Sequence, residues 1–285
     1  MLSDWLKTIC ANTGNFGVKL WHAYLYYRVR GHWPNFRKPK DLSEHILSAM
    51  NHKSFERFAN LADKVKVRDY IKAKGLSDIL LEVYGVWEHP EDIDFDKLPD
   101  KFALKPNNGC GGHFFCKDKS GINRDAVIKQ LNDSLESGKT AFRFERHYSK
   151  IEPRIYCEEL IDTGSEAMPT DYKFMCIKGQ IAFILVITER GTGHAMKSIM
   201  NTDWQELPYT QENHRSSVIP AKPVHLDRMI EIAKKLSEDF EYVRVDLYEY
   251  KNKVFFGELT FSPAGGILYS HNNRCIKEVG KLFDE

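Results

Sequence analysis

The stretch Tyr242–Ser262, YVRVDLYEYKNKVFFGELTFS, constrains the chain more than any other. Two runs of alternating polar and apolar residues flank Lys251-Asn252-Lys253, the pattern of a half-buried hairpin. With those three residues as the loop, Tyr250 pairs with Val254, Asp246 falls opposite Glu258, and Arg244 falls opposite Thr260. Directly paired residues share a face of the sheet. Arg244, Asp246, Glu258 and Thr260 then line one face, and Val243, Val245, Leu247, Phe255, Leu259 and Phe261 form a core stripe on the other. A two-residue loop would send Asp246 and Glu258 to opposite faces. Opposed carboxylates repel unless a cation lies between them, and Mg²⁺ can be that cation, through oxygen ligands and usually a substrate phosphate. The same alternation also fits an ordinary exposed strand face, with Asp246 paired to Arg244 or a lysine.

A second segment, Phe102–Phe115 (FALKPNNGCGGHFF), puts Lys105 at a strand end before Gly109, Gly111 and Gly112, and then returns as a strand. Backbone N–H groups in such a loop can cradle phosphate oxygens, and the lysine adds a point charge. No Gly-Lys-Ser/Thr opens a helix here, so the loop is not a Walker motif, nor is it a dinucleotide fingerprint. A plain turn needing positive φ is the other reading.

Around these segments the pattern is mixed helix and strand, an α+β chain. Asp41-Leu-Ser-Glu44 reads as a capping box that opens a helix over 42–50. Helices are also expected over 53–62 and 63–74, the latter stopped by Gly75, and over 124–136 and 226–238. In the last of these, Met229, Ile232, Ala233 and Leu236 share one face. Strands are expected over 79–84, 102–106, 113–117 and 154–161, and 171–177 and 180–188 form a hairpin about Lys178-Gly179. A terminal helix closes the chain. Glu91–Asp100, acidic and carrying Pro99, reads as a linker, which divides the chain into 1–98, 99–162 and 163–285.

Composition excludes several classes. Hydrophobic residues at 42% and charged residues at 28% belong to a folded chain, and a net charge of +1 points away from nucleic acid. The charge is uneven, however. Residues 1–40 carry seven basic residues and one acid (7 − 1 = +6), against 34 − 39 = −5 for the rest. Trp5, Phe16, Trp21, Tyr24, Tyr26, Tyr27, Trp33 and Phe36 lie in the same arm. Rings beside Lys and Arg suit an anionic membrane surface, or they pack a helix onto the body while the cations stay solvated. The opening residues do not have the order of a secretory leader, and the six cysteines show no zinc-finger or disulfide spacing, so a cytoplasmic protein with free thiols is expected. His194, His214 and His271 belong to no motif.

Taken together, Asp63-Lys64, Lys105 before Gly109–Gly112, Tyr156-Cys157-Glu158-Glu159-Leu160, Arg244-x-Asp246 and Glu258-x-Thr260 resemble an ATP-grasp enzyme over about residues 60–265. LADKVKVRDY, LPDKFALKPNNGCGG, DYKFMCIKGQ and RVDLYEYKNKVFFGELTFSPAGG are similar to the TupA-like branch, which is associated with teichuronopeptide and other surface polysaccharides. The resemblance implies an ATP-grasp fold, two α+β subdomains gripping ATP, preceded by a mainly helical region. It implies ATP and Mg²⁺ as cofactors. Lys64 and Lys105 would contact phosphates and Gly109–Gly112 would close over them. Glu159 and Leu160, with Glu158 nearby, would meet adenine, and Asp171 or Glu166 would meet the ribose. Lys173 would reach the γ-phosphate, Arg190 and Arg244 would stabilise an acyl phosphate, and Asp246 and Glu258 would hold the metal. Thr260 stands where the wider pattern has Asn. The implied activity is carboxylate–amine ligation of a small or nucleotide- or lipid-linked sugar carboxylate with an amine. The alternatives are a sugar phosphotransferase on the same fold, a glycosyltransferase, for which only Asp92-Ile-Asp94 has the usual carboxylate spacing, and a non-catalytic scaffold.

Overall fold

Helices come first along the chain, and strands take over at Val83. The computed structural model describes every residue except Met1, Cys110, Phe142, Arg143, Glu166, Ala167, Thr192 and His194. Glu166 and His194, singled out in the sequence, and Cys110 within the Gly-rich loop therefore lie outside the described residues.

Helix α1 (Leu2–Asn12) meets α2 (Gly14–Arg30) at Gly14, and α2 stops at Gly31, whose φ of 79° lets its N–H donate back to Tyr27 O. Helix α3 (Leu42–Met50) starts where the capping box puts it. Asp41 accepts from Glu44 N at 2.9 Å, while the Glu44 carboxylate accepts from the N–H groups of Asn35 and Lys40. The helix expected over 53–62 is instead a 3₁₀ segment, Lys53–Phe58, followed by the single turn α4 (Ala59–Ala62). The next helix begins late, as α5 (Val67–Ala73), because Asp63 breaks it. Its Oδ1 accepts from Val65 N and Lys66 N, so residues 64–66 form a turn.

Four antiparallel strands form the smaller sheet: β1 (Val83–Trp87), β2 (Phe102–Pro106), β3 (Phe114–Cys116) and β4 (Ile155–Glu159), in the order β1-β4-β2-β3. The strand expected from Ile79 starts four residues later, since Ile79 ends a 3₁₀ turn. Residues 91–100 are not a free linker. They carry two 3₁₀ turns, and Ile93, Phe95 and Leu98 join the core under this sheet. Helix α6 (Arg124–Ala141) covers that core with Val127 and Leu131 and runs past Gly138.

The larger sheet has the order β7-β6-β5-β8-β9, from β5 (Asp171–Ile177), β6 (Gln180–Thr188), β7 (Met196–Met200), β8 (Tyr242–Tyr250) and β9 (Lys253–Thr260). Lys178 and Gly179 both take positive φ, the two-residue turn that matches strand twist. Beneath the sheet, α7 (Leu226–Ser237) buries Met229, Ile232, Ala233 and Leu236 completely. Helix α8 (Asn273–Gly280) packs against α3 and closes the same core.

The β8–β9 hairpin corrects the expected turn but not the pairing. The loop has two residues, Lys251 and Asn252, with φ of 46° and 61°, so Tyr250 pairs with Lys253 and Leu247 with Phe256. A β-bulge at Gly257 then shifts the register by one, and Asp246 meets Glu258 and Arg244 meets Thr260. The buried stripe accordingly takes Val254 and Phe256 in place of Phe255. A Cβ at Gly257 would lie 2.8 Å from the Tyr248 ring and 3.1 Å from Asp246 O, which is why glycine stands there.

Candidate active site

The two sheets enclose a cavity of about 320 Å³, within the size range of small-ligand sites. Its wall brings together Lys64, Lys105, Lys173, Arg190, Arg244, Asp246, Glu158 and Glu258. Each is set by its own element. Lys64 sits in the turn after α4, which is tied to the Gly-rich loop: Lys64 N donates to Asn107 O at 3.0 Å, and its ammonium donates to Gly109 O. Asn107, 1% exposed, is the anchor. Its amide donates to Asp63 Oδ2 and Glu152 O, and its Oδ1 accepts from Arg154 N. The sequence reading passed over Asn107, and the signal was its place directly ahead of the glycines. Gly109, Gly111 and Gly112 have φ of 69°, 90° and 67°, so the loop backbone requires glycine, and a Cβ at Gly112 would strike Ser134.

On the smaller sheet Lys105 donates to Glu158 Oε1 at 2.6 Å. Ala103 pairs with Glu158, and Glu159 N donates to Glu82 O. The Glu159 amide is thus committed within the sheet, while Leu160 and Ile161 follow the strand end along the cavity wall with Leu81 nearby.

On the larger sheet the charges interlock. Arg244 donates Nε to Asp246 Oδ1 at 2.6 Å and Nη2 to Asp246 Oδ2 at 2.7 Å, to Glu258 Oε1 at 2.9 Å and to Thr260 Oγ1 at 3.0 Å. Lys173, opposite Asp246 in the register, donates to Asp246 Oδ2. Glu258 Oε2 faces the Lys64 ammonium at 3.8 Å. Burial opposes charge on each partner, and for Glu258 and Arg244 the neighbouring charges outweigh it. Burial would raise the Glu258 carboxyl, but Lys64, Arg244 and Lys173 outweigh it and hold it at about 2. Burial works against the Arg244 guanidinium too, and Asp246 and Glu258 more than offset it, keeping the proton firmly held. For Asp246 burial prevails, and its carboxyl is raised despite Arg244 and Lys173.

Asp171 does not line the cavity. It is fully buried, with Arg190 and Lys173 both ion-paired to its Oδ2, so it lies behind the cations and not at the wall expected of a ribose contact. Thr260 is 5% exposed and also outside the lining, and its hydroxyl donates to Glu258 Oε1 and accepts from Arg244. The donor chemistry fits Mg²⁺ through two residues. Glu258 is 29% exposed in its side chain and Asp246 pairs with it, both presenting hard oxygens. Among the described residues no group of three His, Cys, Asp or Glu could hold an ion alone. A two-carboxylate site completed by phosphate is the usual habit of Mg²⁺.

His113 was not singled out from the sequence. It follows Gly112 into the wall, its Nε2 is buried without a hydrogen-bond partner, and burial together with Lys105 and Lys64 lowers its pKa to about 3, leaving the ring neutral. His214 and His271 lie outside the lining.

A family model described as TupA-like ATP-grasp matches residues 44–284, which is most of the chain. The chain belongs to the TupA-like ATP-grasp family. Membership settles the fold as ATP-grasp, helices with two antiparallel sheets, behind an N-terminal helical region. No curated protein matches the chain. Among solved structures, a D-alanine–D-alanine ligase from Bacillus anthracis is similar at 15% identity and a TM-score of 0.45, covering 85% of this chain and 67% of that one. The D-cycloserine synthetase DcsG is similar at 12% identity and a TM-score of 0.46, covering 79% and 70%. An L-amino acid ligase from Bacillus licheniformis is similar at 13% identity and 0.45, covering 80% of this chain and 50% of that one.

Proposed function

We propose that this ATP-grasp protein is an ATP-dependent carboxylate–amine ligase that forms an amide through an acyl phosphate. The observation that carries the reading is one cavity whose wall includes the cationic side chains of Lys64, Lys105, Lys117, Lys173, Arg190 and Arg244, with Asp246 and Glu258 among them. ATP would lie with its adenine beside Glu158, Glu159 and Leu160, against Leu81 and Ala103, and with its phosphates toward Lys64, Lys105 and the Gly-rich loop. Asp246 and Glu258 would hold Mg²⁺, whose charge would neutralise phosphate oxygens during transfer. Asp171 would keep Lys173 and Arg190 aimed at the transferring group. A substrate carboxylate attacks the γ-phosphorus, the bond to the β–γ bridging oxygen breaks, and ADP leaves. Arg190, Arg244 and Lys173 stabilise the charge on the phosphoryl oxygens and orient the acyl phosphate. An amine then attacks the acyl carbon, and phosphate departs with the amine proton. The chain supplies no covalent nucleophile. It positions, neutralises and excludes water that would hydrolyse the acyl phosphate.

The finer reading is a sugar acid or amino acid, nucleotide- or lipid-linked, joined to an amino acid, amino sugar or amino alcohol during synthesis of a surface polysaccharide in the cytoplasm. Its support is the family's association with such polymers. The glycosyltransferase reading has little: Asp92 and Asp94 are outside the cavity wall, and Asp94 caps a surface turn.

The deciding experiment supplies ATP and Mg²⁺ with uronic-acid sugars and amino acids, alone and in pairs, and follows phosphate and product mass. Phosphate release that needs both a carboxylate and an amine, with a product lighter by one water, is expected. A stable phosphorylated product would replace the ligase with a phosphotransferase. Asp246→Asn and Glu258→Gln should each lower turnover by roughly 100-fold or more with an unchanged far-UV spectrum. Full activity in both would remove the metal assignment.

A further inference from the structure

Residues 1–43 lie outside the matched family region, and the structure divides them into two faces. The inner face is packed. Cys10, Val18 and Trp21 form a small core with Phe144, and Tyr26 is fully buried in the main core, where its hydroxyl donates to Asp41 Oδ2 at 2.5 Å. Arg30 is buried too. The outer face carries the rest of the rings. Trp5 is 64% exposed, Phe16 74%, Trp33 60% and Tyr27 41%, and Ile9 and Leu20 are exposed beside them.

These exposed groups are ordered, not scattered. At 3.6 residues per turn, Phe16, Leu20 and Tyr27 fall within about 40° of arc on α2 and make a ridge ~16 Å long. Trp33 stacks on Tyr27 with ring centres 4.7 Å apart and extends it. On α1, Trp5 and Ile9 are four residues apart and share a face. Cations are exposed in the same arm: Lys19 flanks the α2 ridge, about 60° of arc from Phe16, and Arg28, Arg37, Lys38 and Lys40 are exposed as well, while no acid occurs between Trp5 and Lys40. Folding thus buries Trp21, Tyr26 and Arg30 and leaves the arm with exposed rings and positive charge that no acid between Trp5 and Lys40 offsets.

We infer that this outer face docks on an anionic lipid bilayer. Trp5, Phe16 and Tyr27 lie on helix surfaces and Trp33 stacks on Tyr27 just beyond α2, and amphipathic Trp and Tyr sit well at the headgroup level, while Lys and Arg meet anionic headgroups. A second copy is a poor occupant, because a two-fold interface would bring two like-charged arms together. Contact is peripheral, since no helix among the described residues is long and apolar enough to cross a membrane. The inference stands apart from the ligase reading, because none of these residues lines the cavity.

The test is sedimentation of the full chain with vesicles of phosphatidylcholine alone and of phosphatidylcholine with phosphatidylglycerol. Binding only to the anionic vesicles is expected. It should fall at least tenfold as salt rises from about 0.1 M to about 1 M, where the screening length drops from ~10 Å to ~3 Å. The double variant Phe16→Glu/Trp33→Glu should lose binding at least tenfold while keeping its helical spectrum and thermal midpoint, since both side chains are exposed. Lys19→Glu/Arg37→Glu, both at exposed positions, should do the same through charge alone. No sedimentation of the wild type at low salt would overturn the inference, as would equal binding by the Phe16→Glu/Trp33→Glu variant. Self-association of the wild type that this variant abolishes, with no vesicle binding, would assign the face to a second copy instead.

Discussion

Four acids at or behind the cavity wall meet a base before any phosphate arrives. Glu158 holds Lys105, Asp171 holds Arg190 and Lys173, and Asp246 and Glu258 share Arg244. The lysines can be drawn toward an anionic ligand only by loosening these pairs, so the wall is neutralised yet poised. His113 is different. It has no counter-ion to leave, and its Nε2 is buried without a hydrogen-bond partner. A neutral imidazole there can donate to a phosphate oxygen without adding charge. His113→Ala should raise the KM for ATP roughly tenfold, a loss of ~1.4 kcal/mol, with a smaller change in kcat. Burial together with Lys105 and Lys64 lowers the ring's pKa to about 3, well below the neutral range, so the imidazole enters binding uncharged near pH 7. The ratio of wild-type to variant KM should therefore be flat between about pH 6 and about pH 8. A ratio that grows as the pH falls would show that the imidazolium, not the imidazole, does the binding.

At the scale of elements the β8–β9 bulge decides the chemistry. A two-residue turn alone would put Glu258 on the core face, and Gly257 absorbs the extra residue that returns it to Asp246. Gly257→Ala places a methyl group 2.8 Å from the Tyr248 ring, which lines the cavity, so the ring or the bulge must shift. ATP affinity should fall roughly tenfold, a change of ~1.4 kcal/mol in binding. The unfolding midpoint should move little, because the buried stripe is untouched. Unchanged affinity would mean that the bulge tolerates side chains and that the glycine is incidental.

The pairing of Asp246 with Glu258 was reached in the sequence by setting the polar foursome on one face with a three-residue loop, but the structure reaches it by a two-residue loop and a bulge, and a glycine within a strand does not announce a bulge. The limits of β5 and β6 were legible from two apolar runs flanking Lys178-Gly179, but not the register shift between Met175 and Cys176. The limits of α6 were not, because one glycine inside a helix lowers its stability without ending it. Ile79 belonged to an apolar run with no period, and only packing shows that it sits in a turn before the strand. The depth of Asp171 and Thr260 was hidden for a related reason. Strand alternation assigns a face, and whether a residue lies at the mouth or the floor of a cleft depends on the sheet opposite.

Across the whole molecule the N-terminal arm reaches the segment that follows β9. Arg30 on α2 donates Nη2 to Ile267 O at 2.7 Å and to Leu268 O at 3.3 Å, and Nη1 to His271 O at 3.0 Å and Asn273 Oδ1 at 3.3 Å. These residues are more than two hundred positions away in sequence, and the backbone they belong to is unusual. Ala264 and Leu268 hold φ of 49° and 56°, in the left-handed region that non-glycine residues rarely enter. Carbonyls turned inward by such a backbone need a donor, and a planar guanidinium can serve several at once where an ammonium cannot. Burial disfavours the Arg30 charge and lowers its pKa, with Asp41 and Tyr26 acting in the opposite sense. Arg30→Ala would leave buried carbonyls unpaired and should destabilise the fold by ~3 kcal/mol, read as a lower denaturant midpoint at unchanged m. Arg30→Lys should recover only part of that, since its point charge cannot span Ile267 and His271 together. If the lysine variant matched the wild type, a single charge would suffice at this site. The forked contact would then not be what ties the arm, which lies outside the matched family region, to the ATP-grasp body.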